Sequence, residues 1–272
     1  MNEFKDKIAI VTGAASGIGR ALAEELARRA AIVTLADINY EGAHRVAEEI
    51  NAKGGRARAV LLDVSSAEDV ERLVRETVSD RGRLDYIFNN AGIGVGGEAY
   101  EIDLHHWQRI IDINLLGVIY GMKAAYRVMI EQGSGHIVNT ASLAGLIASP
   151  GMVPYSMTKH AVVGLSNALR AEAADFGVRV SAVCPGFVQS GIYDAATLIN
   201  VKKESFMENL PFRLVEADRA AEIILRGISR NKAIIIFPFY ARLFWWLSRI
   251  HPALLAPLMR KTLKDFRSSR TP

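Results

Sequence analysis

The feature that most narrows the fold is a glycine-spaced turn caught between an apolar run and a helical segment. Ile8-Ala9-Ile10-Val11 leads into Thr12-Gly13-Ala14-Ala15-Ser16-Gly17-Ile18-Gly19, and Arg20-Ala-Leu-Ala-Glu-Glu-Leu continues with helical periodicity. Glycine at 13, 17 and 19 permits a tight turn and close approach of backbone to a pyrophosphate. It also leaves N–H groups free at the positive end of a helix. The spacing is G-x-x-x-G-x-G, so the commoner G-x-G-x-x-G dinucleotide pattern is matched only loosely. Glycines that serve the turn alone are the competing reading.

Short apolar runs then alternate with longer stretches of helical period. The pattern predicts strands at 7–11, 31–36, 57–62, 84–88, 135–140, 178–183 and 233–237. Helices are predicted at 17–30, 40–52, 66–80, 104–131 and 154–176. Near-continuous apolar strands imply burial on both faces, as in a parallel sheet covered by helices. The expectation is a doubly wound parallel sheet of about seven strands with helices on both faces. A TIM barrel is the rival, but it gives the first-turn glycines no purpose. Without a fixed-period repeat or a linker, residues 1–238 read as a single domain, with 187–215 as a substrate loop. Residues 239–272 read as a helical C-terminal extension.

Half of the 272 residues are hydrophobic and 23% are charged, which suits a filled core. The single cysteine, Cys184, excludes an internal disulfide framework, and with no signal peptide in view a reducing, cytoplasmic setting is expected. No apolar run long enough to span a bilayer is evident. The net charge of +4 is unevenly placed: from Phe239 onward seven Lys/Arg face one acid, Asp265. The extension therefore carries +6 and residues 1–238 carry −2, which argues against nucleic-acid binding by the body.

Asp37 closes the second strand, 18 residues past Gly19, where a carboxylate suits the adenosine ribose hydroxyls. It would repel a 2′-phosphate, and positions 14–16 offer no cation, so NAD is favoured over NADP. Its competing role is to cap the following helix.

These residues resemble the short-chain dehydrogenase/reductase family in its NAD-type form. Thr12 through Gly19 resembles the family's glycine motif, and Asp63-Val64 the pair that contacts adenine. Asn89-Asn90-Ala91-Gly92 resembles the segment closing strand four, and Asn114 in Asp112-Ile-Asn-Leu-Leu-Gly117 the family's catalytic asparagine. Ser142 follows strand five, Tyr155-Ser-Met-Thr-Lys159 matches Y-x-x-x-K, and Pro185-Gly186 matches the nicotinamide-contacting turn. The motifs run in order from residue 7 to about 190. One departure is Ser190, where the family often has threonine; it keeps a hydroxyl for the carboxamide or pyrophosphate.

The resemblance implies a Rossmann-like fold and hydride transfer with an alcohol or ketone. The implied catalytic set is Asn114, Ser142, Tyr155 and Lys159. The implied cofactor contacts are Gly13, Ser16, Gly17, Ile18, Gly19, Asp37, Ile38, Asp63, Val64, Asn90, Ala91 and Gly92, then Tyr155, Lys159, Pro185, Gly186, Val188 and Ser190. It further implies a homodimer or homotetramer pairing helices 104–131 and 154–176. Chemically, Lys159 lies at i+4 from Tyr155 on one helix face. Its ammonium, with the positive nicotinamide of NAD⁺, would lower the phenol's pKa and make it a usable base. Ser142 could hold the substrate oxygen, and Asn114 could support a proton-relaying water chain.

Other readings stay open. The same site could serve an NADP-dependent ketone reductase, or the chain could be a non-catalytic NAD(H)-sensing scaffold. His136 and Cys184 read as packing residues, and His44, His105, His106, His160 and His251 show no metal-ligand spacing, so no metal is expected. The apolar residues of 187–215, among them Phe187, Ile192, Tyr193, Leu198, Ile199, Phe206 and Met207, point to a hydrophobic, lipid-like substrate. In the extension, Tyr240, Leu243, Phe244, Leu247, Ile250, Leu254, Leu255 and Leu258 recur at helical spacing among arginines. That segment fits an interfacial membrane helix, a lid or oligomer contact, or simple packing on its own subunit.

Overall fold

The alternation of β-branched runs and amphipathic stretches folds into a three-layer α/β/α arrangement in the computed structural model, which describes residues 3–208 and 212–270. The elements are β1 (Ile8–Thr12), α1 (Gly17–Arg28), β2 (Ile32–Asp37), α2 (Tyr40–Ala52), β3 (Arg56–Leu61), α3 (Ala67–Arg81) and β4 (Tyr86–Asn89). Next come β5 (Val95–Gly96), α4 (Leu104–Ile111), α5 (Gly117–Gln132), β6 (Gly135–Thr140), α6 (Val153–Ala173) and β7 (Val178–Pro185). The chain continues with α7 (Ile192–Ala195), β8 (Thr197–Leu198), α8 (Lys203–Glu208), α9 (Ala217–Ser229), β9 (Ile234–Phe237), α10 (Phe239–Ile250) and α11 (Ala256–Ser268). The side chains of Phe206 and Met207, expected in the substrate loop, lie outside the described residues.

Seven parallel strands pair in the order β3-β2-β1-β4-β6-β7-β9, so this is the doubly wound, Rossmann-like sheet expected. The order in which strands are added switches sides between β1 and β4, which opens a crevice at their carboxyl ends. Alternate residues of β1 feed opposite cores: Ala9 and Val11 meet α1, α2 and α9, whereas Ile8 and Ile10 meet α3, α5 and α6. Between β6 and β7, buried His136 holds Ser181 Oγ at 2.8 Å. Burial, then Arg179 and Arg170, pull its imidazole down to about 3, so it packs as a neutral ring.

Four differences from the sequence reading stand out. The helix expected over 104–131 is broken by a π turn at Asp112–Leu116, which rotates Asn114 inward to full burial. Helix α9 was not foreseen, although Ala220, Ala221, Ile224, Leu225 and Ile228 supply a plain apolar face. The short parallel pair β5·β8 was also missed; two residues per strand leave too little pattern to read. Contrary to expectation, Leu104–Gln132 is long and apolar enough to cross a bilayer by length and composition. In the fold its α5 part lies against β4, β6 and α3 as a covering helix of the sheet.

Candidate active site

The crevice at the strand ends is a single cavity of about 500 Å³ running from the glycine turn to the extension. At its first end, Gly13 (φ +66°) and Gly17 (φ +54°) adopt the left-handed conformation that favours glycine. Ser16 takes the N-cap position of α1, yet its hydroxyl makes no capping bond and no acid occupies the first turn. The positive end of α1 thus faces the cavity without an internal anion. Ser190, the departure from the family pattern, lies over this same turn: a Cβ on Gly17 would come within 2.8 Å of Ser190 Cβ.

Asp37 stands at the carboxyl end of β2. Its Oδ2 accepts a hydrogen bond from Ala15 N (2.9 Å) and its Oδ1 from Asn39 N (2.8 Å), tying the acid to the glycine turn. The cap of α2 is instead Asn39, which accepts from Gly42 N at 3.0 Å, so Asp37 is not that helix's cap. Ile38, 70% exposed, and Val64 line the same end, as does Asp63, whose Oδ1 is held by the Ser65 N–H and hydroxyl.

The strand ends are laced together beneath the cavity. Thr12 Oγ1 accepts from both Asn90 N and Ala91 N at 3.0 Å, and Asn90 Nδ2 donates to Thr12 O at 3.1 Å. Thr140 Oγ1 donates to Asn90 Oδ1 at 3.2 Å, and Lys159 Nζ donates to Thr140 O at 2.9 Å. Neither threonine was singled out from sequence, because a hydroxyl at a strand end carries no signature. Gly145 was missed too. A Cβ there would sit 2.4 Å from Lys159 O, so its absence lets the turn after β6 press against α6 and brings Ser142 to Tyr155.

Tyr155 and Lys159 line the cavity from α6, with the ammonium 5.6 Å from the phenol ring centre. Burial raises the Tyr155 phenol above its ordinary value, and a hydrogen bond with the Ser142 side chain opposes this. Burial also pulls the Lys159 ammonium down to about 8. The expectation that lysine lowers the phenol is therefore not met by the polypeptide itself. Desolvation shifts both groups toward their neutral forms. Cys184, behind them, is pushed up to about 12 by burial and is inert packing.

Two expected site residues do not reach the cavity wall. Gly19 works from behind: a Cβ on it would meet Gly13 O at 2.0 Å. Asn114 is fully buried, its Oδ1 accepting from Ile93 N (2.8 Å) and its Nδ2 donating to Ile93 O (2.9 Å). A side chain bound on both atoms fixes the segment carrying Gly92, against which Asn114 and Lys159 converge. The remaining expected residues, Gly13, Ser16, Gly17, Ile18, Asn90, Ala91, Gly92, Pro185, Gly186, Val188 and Ser142, line the cavity.

Beyond Tyr155 the walls turn apolar. Phe187, Ile192, Tyr193 and Leu198 come from the substrate loop, whereas Ile199 packs away beside Val95, Ile102 and Ile110. The extension closes the chamber with Tyr240, Phe244, Leu258, Met259 and Thr262. It is fastened to the same chain: Arg267 Nε donates to Glu98 Oε1 at 2.6 Å, Arg270 pairs with Glu101, and Phe266 packs on Gly151. Of the three readings of this segment, packing on its own subunit is met by these contacts, and the same segment walls the pocket.

Tyr240 goes further. Its hydroxyl accepts from Phe187 N at 2.8 Å, and its ring stacks on Phe212 with centroids 3.9 Å apart. It therefore positions the turn after Pro185 from outside that turn. Tyr240→Phe should cost about 0.5–1.5 kcal/mol in denaturant unfolding and raise the cofactor KM more than it lowers kcat. Equal effects on both constants would make the bond merely structural.

Fold and crevice together define a dinucleotide-binding α/β protein. The model of the family described as short chain dehydrogenase matches residues 7–198. The chain belongs to that family, and is an oxidoreductase. It is 42% identical over 190 residues to cyclohexanol dehydrogenase of Acinetobacter sp. (strain SE19), covering 70% of this chain and 76% of the relative. It is 35% identical over 255 residues, 92% of each chain, to the putative oxidoreductase SadH of Mycobacterium tuberculosis. A solved short-chain dehydrogenase/reductase from Burkholderia phymatum, in complex with NAD, superimposes with a TM-score of 0.81 at 32% identity, covering 100% of this chain and 98% of that one.

Proposed function

We propose that the chain is an NAD(H)-dependent dehydrogenase exchanging a hydride with a hydrophobic secondary alcohol or ketone, with Tyr155 as general acid/base. The observation that carries this reading is the continuity of one cavity from Asp37, past Tyr155 and Ser142, into an apolar chamber. The residues fit a dinucleotide: the glycine cradle and uncapped α1 would hold the pyrophosphate, with Ser190 beside it, and Asp37 the adenosine ribose. Asp63 and Val64 would border the adenine, and Pro185, Gly186 and Val188 the nicotinamide. Residues 1–238 would form the catalytic domain and 239–272 its substrate-side wall.

When bound, the nicotinamide supplies the hydride acceptor or donor and, oxidised, a nearby positive charge. Tyr155 moves the proton at the substrate oxygen, and Ser142 donates a hydrogen bond to that oxygen as charge develops. Lys159, buried and tied to Thr140 O, favours the phenolate whenever it is charged. Asn114 acts as a positioning residue, because its amide is already paired with Ile93.

One similar structure, described in complex with NAD, supports the cofactor reading, and one relative, named for cyclohexanol, supports an alcohol substrate. Around Asp37 the rim residues Ala15, Ser16 and Ile38 present no cation to a 2′-phosphate. The test is a panel of cyclic, aliphatic and steroid-sized alcohols and ketones followed by NADH absorbance, with NADP in parallel. Wild type should favour NAD at least roughly tenfold in kcat/KM, and Asp37→Ser should narrow that ratio by a similar factor. Equal use of both cofactors by wild type would refute the NAD assignment.

A further inference from the structure

Helix α10 has two apolar faces, and the enzyme uses only one. Tyr240, Phe244 and Leu247 point inward and pack with the core around Val118, Leu143 and Val162. About 100° round the helix from these, Phe239 (77% exposed), Leu243, Trp246 (61%) and Ile250 (70%) stand in solvent. At about 100° per residue these four fall within roughly 60° of arc, a continuous stripe along the helix. Leu254, also exposed, extends it into the turn that follows.

Two arginines border this stripe, and three further cations lie on the last helix. Exposed Arg242 and Arg249 lie along one flank of α10, and Arg260, Lys261 and Lys264 are exposed on α11. The Arg249 guanidinium lies 5.2 Å from the centre of the Trp245 ring, a geometry that keeps it beside the aromatic surface. Arg267 and Arg270 are neutralised by Glu98 and Glu101, but no acid among the described residues pairs with the other five. The extension carries +6 against −2 for the rest of the chain, with Asp265 its only acid.

We propose that α10 docks the protein on an anionic lipid bilayer, inserting Phe239, Leu243, Trp246 and Ile250 at the interface while the flanking arginines meet lipid phosphates. Charge complementarity selects this occupant. A second copy packed symmetrically on the stripe would bring together two surfaces, each with five cations that no acid among the described residues pairs. A bilayer of anionic headgroups offers an apolar boundary and the opposite charge at once. Aromatic side chains suit that boundary.

The experiment is co-sedimentation of the full chain with vesicles of phosphatidylcholine alone, or with about one third phosphatidylglycerol. The paired substitutions Trp246→Ser/Ile250→Ser and Arg260→Glu/Lys261→Glu are compared with wild type. Wild type should bind the anionic vesicles at least roughly tenfold more tightly than the neutral ones, and less tightly as salt rises. Each pair should lose at least roughly tenfold of that binding while turnover of a water-soluble alcohol is unchanged. Retained turnover shows that the variants fold. Absence of wild-type binding, or equal binding by the apolar pair, overturns the proposal. So does a wild type that ignores vesicles while Trp246→Ser/Ile250→Ser splits an oligomer by sedimentation velocity, because the stripe is then a subunit interface.

Discussion

Tyr155→Phe should lower kcat by about 10²–10⁴-fold while cofactor affinity stays within about threefold. The change deletes one hydroxyl from a side chain whose ring remains to fill its place on the cavity wall. Tyr193 is the appropriate control. It is a second phenol on the cavity wall, and burial raises its pKa as well. Tyr193→Phe should alter KM for substrate more than kcat. If single-turnover hydride transfer in Tyr155→Phe ran near the wild-type rate, the acid/base role would have to move elsewhere.

The pH dependence follows from the same geometry. Lys159, pulled down to about 8, loses its charge above that pH, and with it the attraction that favours the phenolate. For folding the sign runs the other way. The unfolded lysine titrates near 10.4, so between about pH 8 and 10.4 the unfolded chain binds more protons and stability contributed by this group rises with pH.

The second large effect is expected at Gly19, which touches no ligand surface. An added Cβ would lie 2.0 Å from Gly13 O and 2.7 Å from both Gly13 C and Asn90 Nδ2. The main-chain atoms cannot turn aside as a flexible side chain would, and Gly13 N is itself held by Ala36 O at 2.9 Å. Gly19→Ala must therefore push α1 off the sheet or open the turn. It should destabilise the fold by about 1–3 kcal/mol and abolish measurable NAD binding in calorimetry. Gly164→Ala on α6 is the contrast: its Cβ would meet nothing within 4 Å, and stability should stay level or rise. Normal NAD affinity in Gly19→Ala would mean that the turn does not cradle the pyrophosphate.

What the sequence disclosed was whatever is written in local spacing. Glycines 13, 17 and 19, the alternation of strands and helices, and Tyr155 with Lys159 on one helical face all lie within a few residues of their partners. Asp37 was legible because it ends a strand whose place in the sheet follows from chain order. The lacing of Thr12 to Asn90, and Thr140 to Asn90 and Lys159, joins residues up to 79 apart, and no local pattern encodes it. The raised phenol pKa was missed for a related reason. Adjacency of Lys159 can be counted along a helix, whereas burial depends on every element packed around the pair. Helix α9, by contrast, had a readable apolar face and could have been found.

The bond from Phe187 N to Tyr240 bears on how such a protein could be altered by recombination. An extension after the last strand looks like an exchangeable cassette, able to reshape the substrate chamber and leave the rest alone. Here it holds one of the main-chain groups that set the turn after Pro185. A chimera carrying a foreign segment from Phe239 onward would change its substrate range and its hydride geometry in one step. Modularity in this chain therefore ends before Tyr240, and swaps that preserve that hydroxyl are the ones that can separate specificity from rate.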